Sequence, residues 1–154
     1  MSKTIIKELN VSSSAFKHGE KIPSKYTCDG DGINPSLETG EIPERTKTLA
    51  LIVEDPDAIK GTYDHWLVWN IHTLDSIKEN SNPGTSGRNS SGKTGYQPPC
   101  PPVGLHRYFF HVFALDNKID LMTGGSKEQL KKAMENHILA KGTLVGTYER
   151  MGKT

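Results

Sequence analysis

Long apolar runs are missing from this chain of 154 residues. No stretch approaches the ~20 apolar residues that span a bilayer, so stable membrane insertion is not expected. Cysteine is scarce: Cys28 and Cys100 only, far apart and without C-x-x-C spacing. That excludes a disulfide-dense scaffold and a thiolate zinc site. An excess of one charge is lacking too. Lys and Arg number 19 against 18 Asp and Glu, which gives no electrostatic case for nucleic acid or an anionic membrane. The opening MSKTIIKELN lacks the apolar core of a signal peptide, so the expected location is the cytoplasm. In that reducing compartment the two cysteines read as free thiols, pairing only if the fold brings them together.

What remains is an ordinary globular composition and one domain over residues 1–154. A chain of that length buries roughly two-thirds of its unfolded surface and needs no staples. Turn signals crowd residues 1–45. Lys47–Glu54 is short, apolar and rich in β-branched residues, and reads as a buried strand. His65–Ile71 reads as another, with DPDAIKGTYD as the loop between them. Residues 79–104, dense in Gly, Pro, Ser and Asn, form one long irregular loop, of a length that usually signals function or disorder. HRYFFHVFALD, residues 106–116, is a strong strand. Its alternation puts His106, Tyr108, Phe110 and Val112 on one face and Arg107, Phe109, His111 and Phe113 on the other. Ser126 and Gln129 form a capping box that opens one helix, with Leu130, Ala133, Met134, His137 and Ile138 along one side. Gly142 is the expected stop and TLVGTYER the last strand. Several strands, long loops and one clear helix predict a mainly β domain.

GRNSSGKT, residues 87–94, fits the phosphate-cradling pattern G-x-x-x-x-G-K-[ST]. Such a loop works only between a strand and a helix whose N-terminus points at the phosphates. Here ENSNPGTS precedes it and GYQPPCPPVG follows. Each of the prolines at 98, 99, 101 and 102 would cost a helix interior ~3 kcal/mol, so the stretch reads as a flexible turn. No G-x-S-x-G elbow and no H-E-x-x-H occurs, which leaves an α/β-hydrolase and a zincin unsupported.

Two blocks do carry suggestive chemistry: DPDAIKGTYDHWLVWN and PPCPPVGLHRY. In each a histidine opens a strand just after a Pro/Gly-rich loop, a common place for a ligand pocket. Two imidazoles with a tyrosine hydroxyl can donate hydrogen bonds to phosphate oxygens, and a nearby carboxylate can orient one imidazole. The plainer alternative is that His65 and His106 only cap strand ends. A further alternative is a two-His-one-carboxylate metal set of Asp55, His65 and His106, at a spacing that matches no recognised site.

At these blocks the chain resembles the phosphatidylethanolamine-binding protein family, also called Raf kinase inhibitor-like proteins, in its short bacterial and archaeal branch. The carriers are Asp55-Pro56-Asp57-Ala58 followed by His65-Trp66-Leu67-Val68-Trp69-Asn70, and Gly104-Leu105-His106-Arg107-Tyr108 after Pro98-Pro99-Cys100-Pro101-Pro102. The likeness extends through SSAFKHGEKIPSKYTCDGDGINPSL to LVGTYER, nearly the whole chain. It implies a β-sandwich of antiparallel sheets with one or two peripheral helices. It also implies a pocket for phosphate-type small molecules or phospholipid head groups, built from Asp55, Tyr63, His65, Pro99, Cys100, His106 and Tyr108. Tyr63 takes the place of a pocket tryptophan, and Arg107 is expected as a buried ion-pair partner of the Asp-Pro-Asp turn. No catalytic residue, metal or cofactor is implied. A kinase or a protease is the candidate inhibited partner, and a homodimer the candidate assembly. Two departures reshape the loop rims: Ile59 stands where the family has proline, and Tyr96-Gln97-Pro98-Pro99 lacks the usual glycine. The competing expectation is a phosphoester hydrolase or metal-dependent enzyme using Asp55, His65 and His106. Neither an activated nucleophile nor a carboxylate cluster accompanies them.

Overall fold

Four apolar, β-branched and aromatic runs become the four long strands of one sheet. The computed structural model describes residues 5–74 and 76–150. In chain order its elements are β1 (Lys7–Glu8), β2 (Thr48–Asp55), β3 (Tyr63–Ile71), β4 (Thr85–Ser86), β5 (His106–Leu115), α1 (Lys127–Met134) and β6 (Ile138–Tyr148). A 3-10 turn covers Ser24–Tyr26. The sheet order is β1-β6-β5-β2-β3-β4. Only the β1–β6 pair is parallel; the others are antiparallel. The mainly β class expected from the sequence is therefore the observed one. No helix among the described residues is long and apolar enough to cross a membrane.

The central strands are apolar on both faces because both faces are covered. On the front, Leu51, Val53, Trp66, Val68, Phe110 and Val112 join Phe16, Ile22 and Leu37 from the turn-rich first third of the chain. That first third is a second layer without long strands. Isolated bridges hold it, Ser12–Glu38, Lys21–Thr147 and Leu37–Ile77. On the back, Ala50, Ile52, Leu67 and Trp69 pack against Leu130 and Met134 of α1. Each such large side chain contributes about 1.5–3 kcal/mol on burial.

Helix α1 begins at the predicted cap. The Ser126 side chain accepts from the Gln129 amide, and the Gln129 side chain accepts from the Ser126 amide. It ends earlier than the sequence pattern suggests. Asn136 takes a left-handed φ of 68°, a conformation that stops helices, so His137 and Ile138 lie beyond the helix. Gly142, expected at the helix stop, sits inside β6. A Cβ there would strike the Leu9 carbonyl. The missing side chain lets the N-terminal segment cross β6 closely enough for the Leu9 amide to donate to the Lys141 carbonyl at 2.8 Å.

The free-thiol expectation is overturned. Cys28 and Cys100 form a disulfide, with Cα atoms 5.4 Å apart across a sequence separation of 72. The tertiary contact responsible joins the second layer to the proline-rich loop, and neither segment has a periodicity that announces it.

Candidate functional site

Strands β5, β2 and β3 are neighbours, and their antiparallel run brings the end of β2 beside the starts of β3 and β5. Asp55, the last residue of β2, pairs with Tyr63, the first of β3. His106 is the first residue of β5. A cavity of about 600 Å³ opens at this end of the sheet, lined by Asp55, Tyr63, His65, Cys100, His106 and Tyr108 among others. Of the expected site residues, Pro99 alone does not line it. It is buried behind the wall, where its carbonyl accepts from the Cys28 amide at 3.1 Å. Gln97, Pro98, Pro101 and Pro102 form the wall with Cys100.

His65 reaches the cavity through a break in strand register. Val53 pairs with Trp66 and Glu54 with Asp64, so His65 has no partner opposite it. An extra residue of this kind is a β-bulge, which bends the strand and re-aims a side chain. The result is that both His65 and Trp66 lie over the front face: His65 contacts Tyr108 at 5.3 Å between ring centroids, and Trp66 contacts Tyr96 at 5.5 Å. Tyr63 packs on His65 at 4.7 Å and His106 stacks on Tyr108 at 6.5 Å. Four rings thus form a row across the mouths of β3 and β5.

His106 is committed to the protein on both sides. Its Nδ1 lies 2.6 Å from Asp55 Oδ2 and its Nε2 lies 3.1 Å from the Val103 carbonyl. Both partners are oxygen acceptors, so a ring carrying N–H at each nitrogen satisfies both. The second Asp55 oxygen accepts from the Asp57 amide at 2.8 Å. Both side chains are almost fully buried. The pair is a strut, joining the Asp-Pro-Asp turn to β5. A second strut stands beside it: Asp57 accepts from the Arg107 amide, Nε and Nη2 at 2.9, 2.9 and 2.8 Å. Those hydrogen bonds hold the Asp57 carboxyl down at about 2. Arg107 was expected to be a buried partner of this turn. The pairing is observed, but the guanidinium is half exposed, because odd-numbered residues at this end of β5 face away from the core.

His65 is bound to the protein on one side only. Its Nδ1 donates to the Gln97 carbonyl at 2.7 Å, and the Gln97 amide donates back to the His65 carbonyl at 2.8 Å. Burial lowers its pKa, more than the Gln97 carbonyl and Asp55 raise it, so the ring is neutral with its proton on Nδ1. Nε2 is then a free lone pair, with no hydrogen-bond partner among the described residues, on a side chain that lines the cavity. Burial also pushes the Tyr108 phenol well above its usual range, with Asp55 adding to the effect. It stays a donor. Lys60 is the one Lys or Arg among the lining residues. The exposed Ile59 sits at the mouth, and Val103 and Leu105 are exposed nearby on the segment leading into β5.

Asp55, His65 and His106 do come together, but not as a ligand set for a metal. Among the described residues no group of three or more His, Cys, Asp and Glu could hold a metal ion. GRNSSGKT is organised by one of its own side chains: Asn89 Oδ1 accepts from the Ser91 amide at 3.0 Å and its Nδ2 donates to the Gly95 carbonyl at 3.0 Å. No helix lies between it and β5, and of its residues Ser90 alone lines the cavity. Sequence reasoning missed Lys60 and Gln97. Gln97 acts through its backbone, which no residue identity reveals. For the same reason its departure from the family glycine leaves the clamp on His65 intact.

A family model described as phosphatidylethanolamine-binding protein matches residues 12–149. A UPF0098 protein of Methanothermobacter thermautotrophicus is 43% identical over 150 residues, covering 92% of this chain and 99% of that one. The crystal structure of a putative phosphatidylethanolamine-binding protein homologue from Chlamydia trachomatis superposes with a TM-score of 0.90 at 41% identity, covering 94% of this chain and 99% of that one. Escherichia coli YbcL, described as a member of the mammalian family, gives a TM-score of 0.84 at 28% identity over 93% of this chain and 99% of its own. The motifs at Asp55–Ala58 and Gly104–Tyr108, the strand order they sit in and these matches agree: the chain belongs to the phosphatidylethanolamine-binding protein family.

Proposed function

We propose that the cavity at the mouths of β2, β3 and β5 binds a phosphate-type anion carried on a small ester, and that the protein acts by binding and not by catalysis. One observation carries the reading: His65 is buried and fixed at Nδ1 by the Gln97 carbonyl, its Nε2 has no hydrogen-bond partner among the described residues, and the side chain lines the cavity. A phosphate oxygen meets that lone pair by sharing a proton, either its own as the monoanion or one taken up with the dianion. The Tyr108 hydroxyl donates a second bond, and Lys60 supplies the positive charge that the Asp55–His106 strut, satisfied within itself, does not. The exposed Ile59, Val103 and Leu105 suit an ester with an apolar arm, as in a phospholipid head group with its glycerol.

A hydrolase is not favoured. Among the described residues no hydroxyl or thiol is hydrogen-bonded to His65 Nε2, the one uncommitted imidazole nitrogen of the cavity, as an activated nucleophile would be.

Titration calorimetry tests the reading. Inorganic phosphate and O-phosphoethanolamine are titrated into the wild type at pH 7 in two buffers of different ionisation heat. Binding with a buffer-dependent heat is expected, since one proton sits between phosphate and Nε2. His65→Ala should weaken binding at least about tenfold, or ~1.4 kcal/mol. No binding by the wild type would overturn the proposal. A short-chain phospholipid as third ligand separates the sources: tighter binding than phosphate assigns the apolar rim to the ligand.

A further inference from the structure

The Cys28–Cys100 disulfide ties the proline-rich wall of the cavity to the turn-rich second layer. Cys100 lines the pocket, and both cysteines are exposed to solvent. The Cys28 side is a fixed post. Tyr26 beside it is buried, and the next residue, Asp29, accepts from the Tyr148 hydroxyl at 2.6 Å and from Arg150 at 2.9 Å.

The Cys100 side is loosely held. Four prolines, at 98, 99, 101 and 102, have no N–H to give. Among the described residues, 100–105 make no backbone–backbone hydrogen bond. Beyond the disulfide, that segment is anchored at Val103, whose carbonyl accepts from His106 Nε2. The pocket wall is thus a segment tethered at one end by its clamp on His65, at the other by β5, and in the middle by the S–S bond and the neighbouring hydrogen bond from the Cys28 amide to the Pro99 carbonyl.

We propose that the Cys28–Cys100 bond is a redox modification site, a latch whose opening by a dithiol reductant frees the wall and weakens anion binding. The binding half of this rests on the anion reading above. One thiolate of the reductant attacks an exposed protein sulfur, the S–S bond breaks, and the other cysteine leaves as thiolate. The second thiol of the reductant then resolves the mixed disulfide. The protein gains two electrons and two protons as Cys28 and Cys100 thiols, and the reductant leaves as its own disulfide. Solvent access to the bond is what such exchange requires. In a cytoplasm, a disulfide of this kind is transient and redox-sensing more often than permanent.

The test uses the full chain, labelled with ¹⁵N, oxidised and then reduced by dithiothreitol. In the oxidised form the amides of Cys100, Val103, Gly104 and Leu105 should have order parameters near about 0.85; on reduction they should fall below about 0.6. The amide shifts of the β5–β6 ladder should stay in place. Phosphate affinity should drop by about tenfold, a ~1.4 kcal/mol loss, and return on reoxidation. The doubly substituted Cys28→Ser, Cys100→Ser protein should behave as the reduced form and ignore reductant. Unchanged wall order parameters on reduction overturn the latch. So does loss of the β5–β6 shifts, which would make the bond a staple of the whole fold. Equal phosphate affinity in both redox states overturns the coupling to binding while leaving the anion site standing. Absence of binding by the oxidised protein overturns the anion site itself, and the relaxation data still decide whether the wall is latched.

Discussion

On the front of the sheet Asp55 and His106 meet at 2.6 Å with side chains 4% and 6% exposed; on the back Glu54 and His111 meet at 3.0 Å with side chains 22% and 26% exposed. The acids are consecutive residues of one strand, and the imidazoles lie on alternate faces of another. The back network is closed. Glu54 also accepts from Lys127 at 3.1 Å, Lys127 reaches Asp64 at 2.7 Å, and the second nitrogen of His111 meets Thr143 at 2.8 Å. Burial works to raise Glu54 and to lower Lys127, and the ion pairs outweigh it for both. Lys127 ties α1 to β2 and β3, and His111 ties β5 to β2 and β6. The front pair is equally saturated, but it stands beside groups that are not: His65 Nε2, the Tyr108 hydroxyl and Lys60. An acid–imidazole pair is therefore structural on both faces, and what sets the front apart is the bulged histidine next to it.

The largest expected difference between the faces follows from burial. Asp55→Ala leaves the His106 ring in a dry place without its carboxylate, and should cost about 4 kcal/mol of unfolding free energy. Glu54→Ala, in a partly solvated network, should cost about 1 kcal/mol or less. Urea denaturation of both variants measures this. Equal losses would mean that the two pairs are not in different dielectric surroundings.

Reduction of the disulfide comes next. Closing a long loop stabilises by limiting the unfolded chain, typically about 3 kcal/mol. Global stability should fall by that amount, with the folded state still dominant, while the back network keeps its geometry. The His111 ring resonances should therefore be the same in both redox states, whereas those of His106, bonded to the Val103 carbonyl of the wall, should move.

How much of this was legible in the chain depends on whether a feature is written in side chains or in contacts. The faces of β5 follow from alternation, and His106 and Tyr108 lie buried while Arg107 looks outward as the pattern requires. The Ser126–Gln129 cap was visible because it is local. The helix end was not, since Asn136 stops it by adopting a left-handed backbone that Asn tolerates without demanding. The gathering of Asp55, His65 and His106 rested on resemblance, and the structure supplies the reason they meet: antiparallel neighbours whose ends coincide. The division of labour among them could not be read, because it depends on carbonyls at Gln97 and Val103 and on a bulge that appears only in pairing. The cysteine pair was misread for a similar reason. Compartment arguments speak of cysteines on average, and 72 residues of separation say nothing about a contact between two loops.

Lys60 and Lys127 offer a smaller contrast between the faces. Lys60→Ala should weaken phosphate binding by about tenfold, roughly 1.4 kcal/mol, with an unchanged unfolding midpoint, because the residue is exposed. Lys127→Ala should do the reverse, costing roughly 1 kcal/mol of stability and leaving phosphate affinity as it was. Calorimetry and urea melts on the two variants decide it. If Lys60→Ala bound phosphate like the wild type, the charge assigned to that side chain would have to come from elsewhere.

The subtlest difference is in pH dependence. Burial, acting more strongly than the neighbouring carboxylates, lowers both His65 and His111 from 6.5. An unfolded imidazole takes up a proton near pH 6.5, and these two resist it until lower pH while the fold is intact. Unfolding therefore binds protons in that window. Stability is full above about 6.5 and is lost as pH falls toward the lowered folded values. Asp57, held at about 2, contributes its own loss only in a separate, more acidic window. The two faces part company when phosphate is added. At His65 a bound dianion favours the protonated ring, so acidification from pH 7.5 to 6 should tighten phosphate binding while it weakens the free protein. At His111 both ring nitrogens are already bonded, to Glu54 and Thr143, so phosphate should not couple to its proton. Thermal melts at half-unit pH steps, with and without phosphate, should therefore show midpoints that fall with acid in the free protein and fall less in the bound one. His65→Phe should abolish the phosphate-dependent part and leave the share due to His111. A free protein whose midpoint is flat across this range, or a phosphate effect that survives His65→Phe, would show that the proton is held somewhere other than the bulged histidine.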